Sequence, residues 1–88
     1  MGYEYAMQQI IRLPRQLGAI IQSQRLAKRL TQAELAEQAG TQQKTISAIE
    51  NSSEGTKLGT LLGVIAILDL DLQVVPRQQS DRSIEDIF

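Results

Sequence analysis

The chain contains no cysteine and no histidine. That removes disulfide frameworks, thiolate nucleophiles, imidazole bases and the usual zinc ligand sets together, so the chain is expected to be no enzyme and to need no metal or cofactor. Tryptophan is absent too, and one phenylalanine with two tyrosines offers little ring surface for stacking on single-stranded RNA. Apolar runs are short. No stretch approaches the ~18 consecutive apolar residues of a membrane span, and the opening MGYEYAMQQIIRLP lacks the basic start and long apolar run of a signal segment. A cytoplasmic protein with no membrane partner is expected.

What is present suits one small domain. With 88 residues, 42% of them hydrophobic, the chain lies near the lower limit for building a core unaided, so help from a partner chain is anticipated. The net charge of −1 conceals a polarity. Residues 14–50 carry Arg15, Arg25, Lys28, Arg29 and Lys44 against Glu34, Glu37 and Glu50, a mildly basic body; residues 78–88 carry Asp81, Glu85 and Asp86 against Arg82, an acidic tail.

Helical signals fill the middle of the chain. Pro14 fits the first turn of a helix, and Leu17 and Ile21 follow four residues apart on one face. Arg25 continues that face, where a guanidinium needs an acid; Glu50, four residues after Ile46 on the inward side of a later helix, is the candidate partner. The next boundary is sharper. Thr31 stands three residues before Glu34 with Leu30 and Leu35 around them, a capping box inside a hydrophobic staple. That helix runs through AELAEQA with Leu35, Ala36 and Ala39 inward, and stops at Gly40. After the turn, Ile46 and Ile49 face inward, while Gln42, Gln43, Lys44 and Ser47 form one outward polar stripe. Gln42 caps a helix poorly, and Thr41 is an alternative N-cap. NSSEG, residues 51–55, reads as loop, and Thr56 as the cap of a fourth helix, KLGTLLGVIAIL. Leu58, Leu61, Leu62 and Ile65 make one stripe of that helix, widened by Val64, Ile67 and Leu68. Gly59 and Gly63 either admit another backbone there or stand without consequence.

From Asp69 the period falls to two. Leu70, Leu72 and Val74 alternate with Asp69, Asp71 and Gln73 before Val75, Pro76 and Arg77, which reads as a strand. A lone strand leaves its backbone groups unpaired, and Gln8 to Leu13 is the only other strand-like segment. Antiparallel pairing with the same strand of a second copy solves this, which predicts a homodimer. In the tail, Ile84, Ile87 and Phe88 are odd residues to leave in water: the segment is either an untethered terminus or a partner-docking one.

Two short helices joined through a glycine, with small and branched residues packed between them, make a helix-turn-helix. QAELAEQAGTQQKTISAIEN, residues 32–51, resembles the lambda-repressor-like family at four points: Ala36, Gly40, Ile46 and Ile49. The likeness extends over residues 14–70. It implies an all-α bundle of four to five helices whose second motif helix enters the DNA major groove, with Gln42, Gln43, Lys44 and Ser47 on base edges and Gln32, Thr45 and Asn51 on phosphates. Glutamine bonding adenine, lysine approaching guanine and a permissive hydroxyl agree with that role. The family also pairs a buried arginine with a glutamate, matching Arg25 and Glu50. Arg29 and Asp69 depart from it, standing where a helix-ending glycine is common. IRLPRQLGAIIQSQR before the motif and LDLDLQVVPR after the fourth helix resemble HipB-like antitoxins, whose dimers carry a C-terminal strand and which partner HipA-like serine/threonine kinase toxins.

The resulting expectation is an N-terminal segment (1–13), a DNA-binding domain (14–70), a dimerisation strand (71–77) pairing across the homodimer, and a flexible tail (78–88). Its partner is a palindromic double-stranded operator, and its role is to repress its own operon and restrain the toxin. The alternatives are a stand-alone regulator of the same type, or a protein-interaction module acting through the fourth helix and tail.

Overall fold

A computed structural model of the chain describes residues 9–52 and 55–77. Four helices follow one another: α1 (Pro14–Ala27), α2 (Gln32–Ala39), α3 (Gln43–Glu50) and α4 (Leu58–Ile67). They close around one apolar centre in which Ile21, Leu35, Ile46, Val64 and Leu68 are wholly buried, with Leu17, Leu30, Leu61, Ile67 and Leu70 packed at its margin. Each helix contributes to this centre. None of the shorter three would hold its shape alone in water.

Local signals set most boundaries as expected. Proline opens α1, and the Gln16 side chain reaches back to accept from the backbone N–H groups of Arg12 and Leu13. At α2 the capping box is complete. The Thr31 hydroxyl accepts from Glu34 N at 3.0 Å and the Glu34 carboxylate accepts from Thr31 N at 2.8 Å.

Three helices end in the same way. The N–H of Leu30 donates to Arg25 O, that of Thr41 to Ala36 O and that of Leu70 to Ile65 O, each at 2.9–3.1 Å. Each bond spans a left-handed residue, Arg29, Gly40 or Asp69, at φ 59°, 71° and 60° respectively. This is the Schellman arrangement, in which the residue after the left-handed one returns to the apolar layer; Leu30 and Leu70 do so here. Arg29 and Asp69 therefore hold the glycine-favoring conformation that the family resemblance implies at those positions.

Two expectations are corrected. Lys57, not Thr56, occupies the N-cap of α4, with no side-chain cap bond. Leu58 and Leu62 do not belong to the dry stripe of α4: they are 65% and 41% exposed, and the buried line is Val64, Ile65 and Leu68, with Leu61 half-buried beside it. Nothing lies within 4 Å of a side chain added at Gly59 or Gly63; the close backbone approach is at Gly18, where a Cβ would stand 2.6 Å from Ile49 O and 2.8 Å from Glu50 O. Among the described residues there is no strand. Residues 70–77 run on without regular structure in the single chain, Leu70 against the core and Leu72, Val74 and Val75 exposed. Ile84, Ile87 and Phe88 lie outside the described residues.

Candidate nucleic-acid interface

Gly40 turns the chain sharply, and α3 begins after Gln42, which occupies the N-cap in extended conformation. The Gln42 carbonyl accepts from Thr45 N at 2.9 Å and Ile46 N at 3.3 Å, while its side chain makes no cap bond. Its amide is thus spare. Ile46 and Ile49 are buried beneath the helix, which turns Gln42, Gln43 and Lys44 fully outward and leaves Ser47 and Thr45 half-buried. No acidic side chain stands in the first turn of α3. The partial positive charge of its free N–H groups is therefore not neutralised from within the helix, which suits an anion placed there.

Behind this face lies a polar lock. Arg25 of α1 donates from Nε to Glu50 Oε2 at 2.6 Å and from Nη2 to Glu50 Oε1 at 3.1 Å, a two-pronged pair closing the far end of α3. Its remaining nitrogen, Nη1, donates to Leu30 O at 2.8 Å, in the turn before α2. The two side chains are only 9% and 2% exposed. The hydrogen bond to Glu50, then the attraction of its charge, raise the Arg25 pKa above the ordinary arginine range against the opposing effect of burial. One guanidinium thus ties together α1, the loop before α2 and α3.

Gln32, expected on a phosphate, is drawn into the same network. Its Nε2 donates to Glu50 Oε1 at 3.1 Å, so one amide hydrogen is committed inward and the other remains for an outside acceptor. Asn51, just past the end of α3, is exposed, and its Nδ2 donates to Ser47 Oγ at 3.3 Å. The structure thus gathers Gln42, Gln43, Lys44 and Ser47 on one helix, with Asn51 one turn on from Ser47. Gln32 reaches this group through Glu50.

Two positioning contacts were not anticipated from the sequence. Gly18 allows α1 to lie against the last turn of α3, which brings Arg25 within reach of Glu50. At the other end of α1, Gln24 Nε2 donates to Leu68 O at 3.2 Å and Lys28 Nζ to Asp69 Oδ2 at 2.5 Å, fastening the end of α1 to the end of α4. A glycine in a helix flanked by apolar residues was the only available hint of the first. The second had none.

Comparison with known proteins agrees with this geometry. The helix-turn-helix family profile matches residues 21–75, while no curated protein matches the chain. Among solved structures, the "HipA-HipB-O2-O3 complex" contains a chain 32% identical, with TM-score 0.74, covered over its whole length by 81% of this one. A HipB–O2 20mer complex gives 34% identity and TM-score 0.74 over 81% of this chain and 99% of that one, and a HipB–O4 20mer complex gives 32% and 0.73 over 81% and 100%. No helix among the described residues is long and apolar enough to cross a membrane. With the profile spanning most of the chain and the HipB chains matched along their length, the protein belongs to the helix-turn-helix family, as a HipB-like regulator of the lambda-repressor type.

Proposed function

We propose that this protein is a sequence-specific transcriptional repressor that binds a palindromic DNA operator as a homodimer in the cytoplasm and serves as the antitoxin of a HipA-like kinase toxin. One observation carries the reading: Gln42, Gln43, Lys44 and Ser47 lie together on the uncovered side of a helix whose other side, Ile46 and Ile49, is buried in the core. In this reading α3 lies in the major groove, its amides, ammonium and hydroxyl meeting base edges, while Gln32, Thr45 and Asn51 face phosphates. Two such helices, related by a twofold axis, read half-sites about 34 Å apart or a multiple of that.

The dimer is supported by what the single chain leaves uncovered. Residues 71–74 alternate polar and apolar side chains, residues 71–77 form no strand within the chain, and Leu72, Val74 and Val75 are exposed; Leu58 and Leu62 of α4 are exposed as well. A second copy pairing through this segment would satisfy its backbone groups and dry these side chains together. The toxin partner is supported by the HipA–HipB complex among the structural neighbours, and Ile84, Ile87 and Phe88 of the tail are the residues assigned to docking it.

The test is a gel shift with the DNA immediately upstream of the protein's own gene, against random DNA of equal length, at several salt concentrations. A repressor should prefer the upstream fragment and bind more weakly as salt rises, because phosphate contacts release counterions. Binding without preference between the two fragments would contradict the reading. For the toxin, removal of residues 78–88 should leave operator binding intact and abolish capture of a HipA-like kinase.

A further inference from the structure

The Ser47 hydroxyl is chemically two-faced: one O–H can donate, and two lone pairs can accept. On a free serine this permits contact with any base, because every base shows a donor or an acceptor in the major groove. Here the symmetry is broken. Asn51 N donates to Ser47 O at 2.9 Å, which pins Asn51 one turn beyond Ser47, and the Asn51 side chain then donates from Nδ2 to Ser47 Oγ at 3.3 Å. One lone pair of the hydroxyl is taken from the protein side. Among the described residues Ser47 Oγ donates to no protein group, so its proton is left for the surroundings.

We infer that Asn51 is a positioning residue that fixes the hydrogen-bond polarity of Ser47, making it a donor that selects acceptor atoms on the base it meets. The inference rests on the DNA-reading function proposed above. An amide hydrogen directed at Oγ polarises the hydroxyl and strengthens its O–H as a donor. A second donor brought to the same oxygen, such as the cytosine amino group, meets the positive end of the Asn51 amide. Guanine O6 and N7, adenine N7 and thymine O4 are acceptors that the O–H can reach; cytosine offers a donor alone. Ser47 therefore discriminates against cytosine on the strand it faces. Asn51 also acts on a base position through Ser47, beyond any contact of its own with a phosphate.

The experiment is selection from a randomised duplex pool by the full chain and by Ser47→Ala, Asn51→Ala and Asn51→Asp variants, followed by titration of duplexes carrying each of the four bases at the position that Ser47→Ala releases. The wild type should bind the acceptor-bearing bases roughly five- to tenfold more tightly than cytosine there. Asn51→Ala should narrow that ratio to within about twofold while leaving the other positions unchanged. Asn51→Asp is the sharper arm: a carboxylate can only accept, so it draws the Ser47 proton toward itself, presents lone pairs to the DNA and should shift the preference toward cytosine. Asn51 variants that bind all sequences more weakly but keep the wild-type preference at that position would overturn the inference and leave a plain phosphate contact. So would a wild-type preference for cytosine at that position, or a Ser47→Ala variant with an unchanged profile. If the wild type enriched no sequence at all, the DNA-reading function itself would fall, and that result is distinct from the others because it appears before any variant is compared.

Discussion

Glu50 receives three hydrogen bonds in a nearly dry site: two from Arg25 and one from Gln32. Its removal is costly because of what is left behind. In Glu50→Ala the guanidinium of Arg25 stays buried without a counter-charge, and the expected loss is about 3 to 5 kcal/mol of folding stability, read as a lower denaturant midpoint. Glu50→Gln keeps an acceptor for Arg25 and should lose less; equal midpoints for Glu50→Ala and the wild type would refute the lock. The raised pKa of Arg25 gives its own sign. A cation whose value is higher in the folded state contributes stability that is complete below its unfolded value and is lost only as pH rises through the folded one, so Arg25 adds no pH slope in the neutral range. Gly18 is the second sensitive residue. A methyl group there would collide with two carbonyl oxygens of α3, and Gly18→Ala should destabilise by about 1 to 3 kcal/mol, more than the helix-propensity gain of the substitution can offset. Because the displaced element is α3, the helix proposed to read DNA, the same variant should also bind operator more weakly at temperatures where it remains folded.

The helices differ in how much of each could be read from residues adjacent in sequence. Thr31, Glu34, Leu30, Leu35 and Gly40 are all within ten positions of one another, and the start, inward face and end of α2 follow from them alone. The outward stripe of α3 was legible for the same reason: Ile46 and Ile49 define its inner side by local periodicity. By contrast, Gly18 has meaning only beside α3, more than thirty positions away, and the commitment of the Gln32 amide to Glu50 depends on two helix ends meeting. The start of α4 misled because Thr56 is a good cap by type but one residue too early, and nearly uniform hydrophobicity hid which side of that helix is dry. Arg29 and Asp69 allow a test of helix endings. Both are left-handed, so Arg29→Gly should raise stability by about 1 kcal/mol. Asp69→Gly should gain less, since it gives up the exposed pair with Lys28, which contributes under about 1 kcal/mol. Thermal melts of the two variants side by side would check the order; a lower melting point for Arg29→Gly would mean that its side chain supports the fold in some other way.

For the whole molecule the decisive quantity, under the proposed DNA-reading function, is the number of α3 helices that engage DNA at once. The single chain presents one α3, together with a segment after α4 on which Leu72, Val74 and Val75 are exposed. If residues 71–77 join two copies, the second half-site is captured at the high effective concentration set by the dimer, and operator affinity exceeds that of one half-site by orders of magnitude. Leu72→Asp tests this without touching the core: Leu72 is half exposed in the single chain, but a twofold interface would bring two carboxylates into one apolar seam. The wild type should sediment as a dimer, and Leu72→Asp as a monomer with an unchanged helical signal. Salt then gives an independent count, because the slope of log affinity against log salt is about −0.9 per phosphate neutralised on duplex DNA. The wild type on a full operator should show about twice the slope of Leu72→Asp on a half-site. A wild-type chain that sediments as a monomer and shows the same slope on both duplexes would place the interface elsewhere, and would reduce the DNA-bound unit to a single α3.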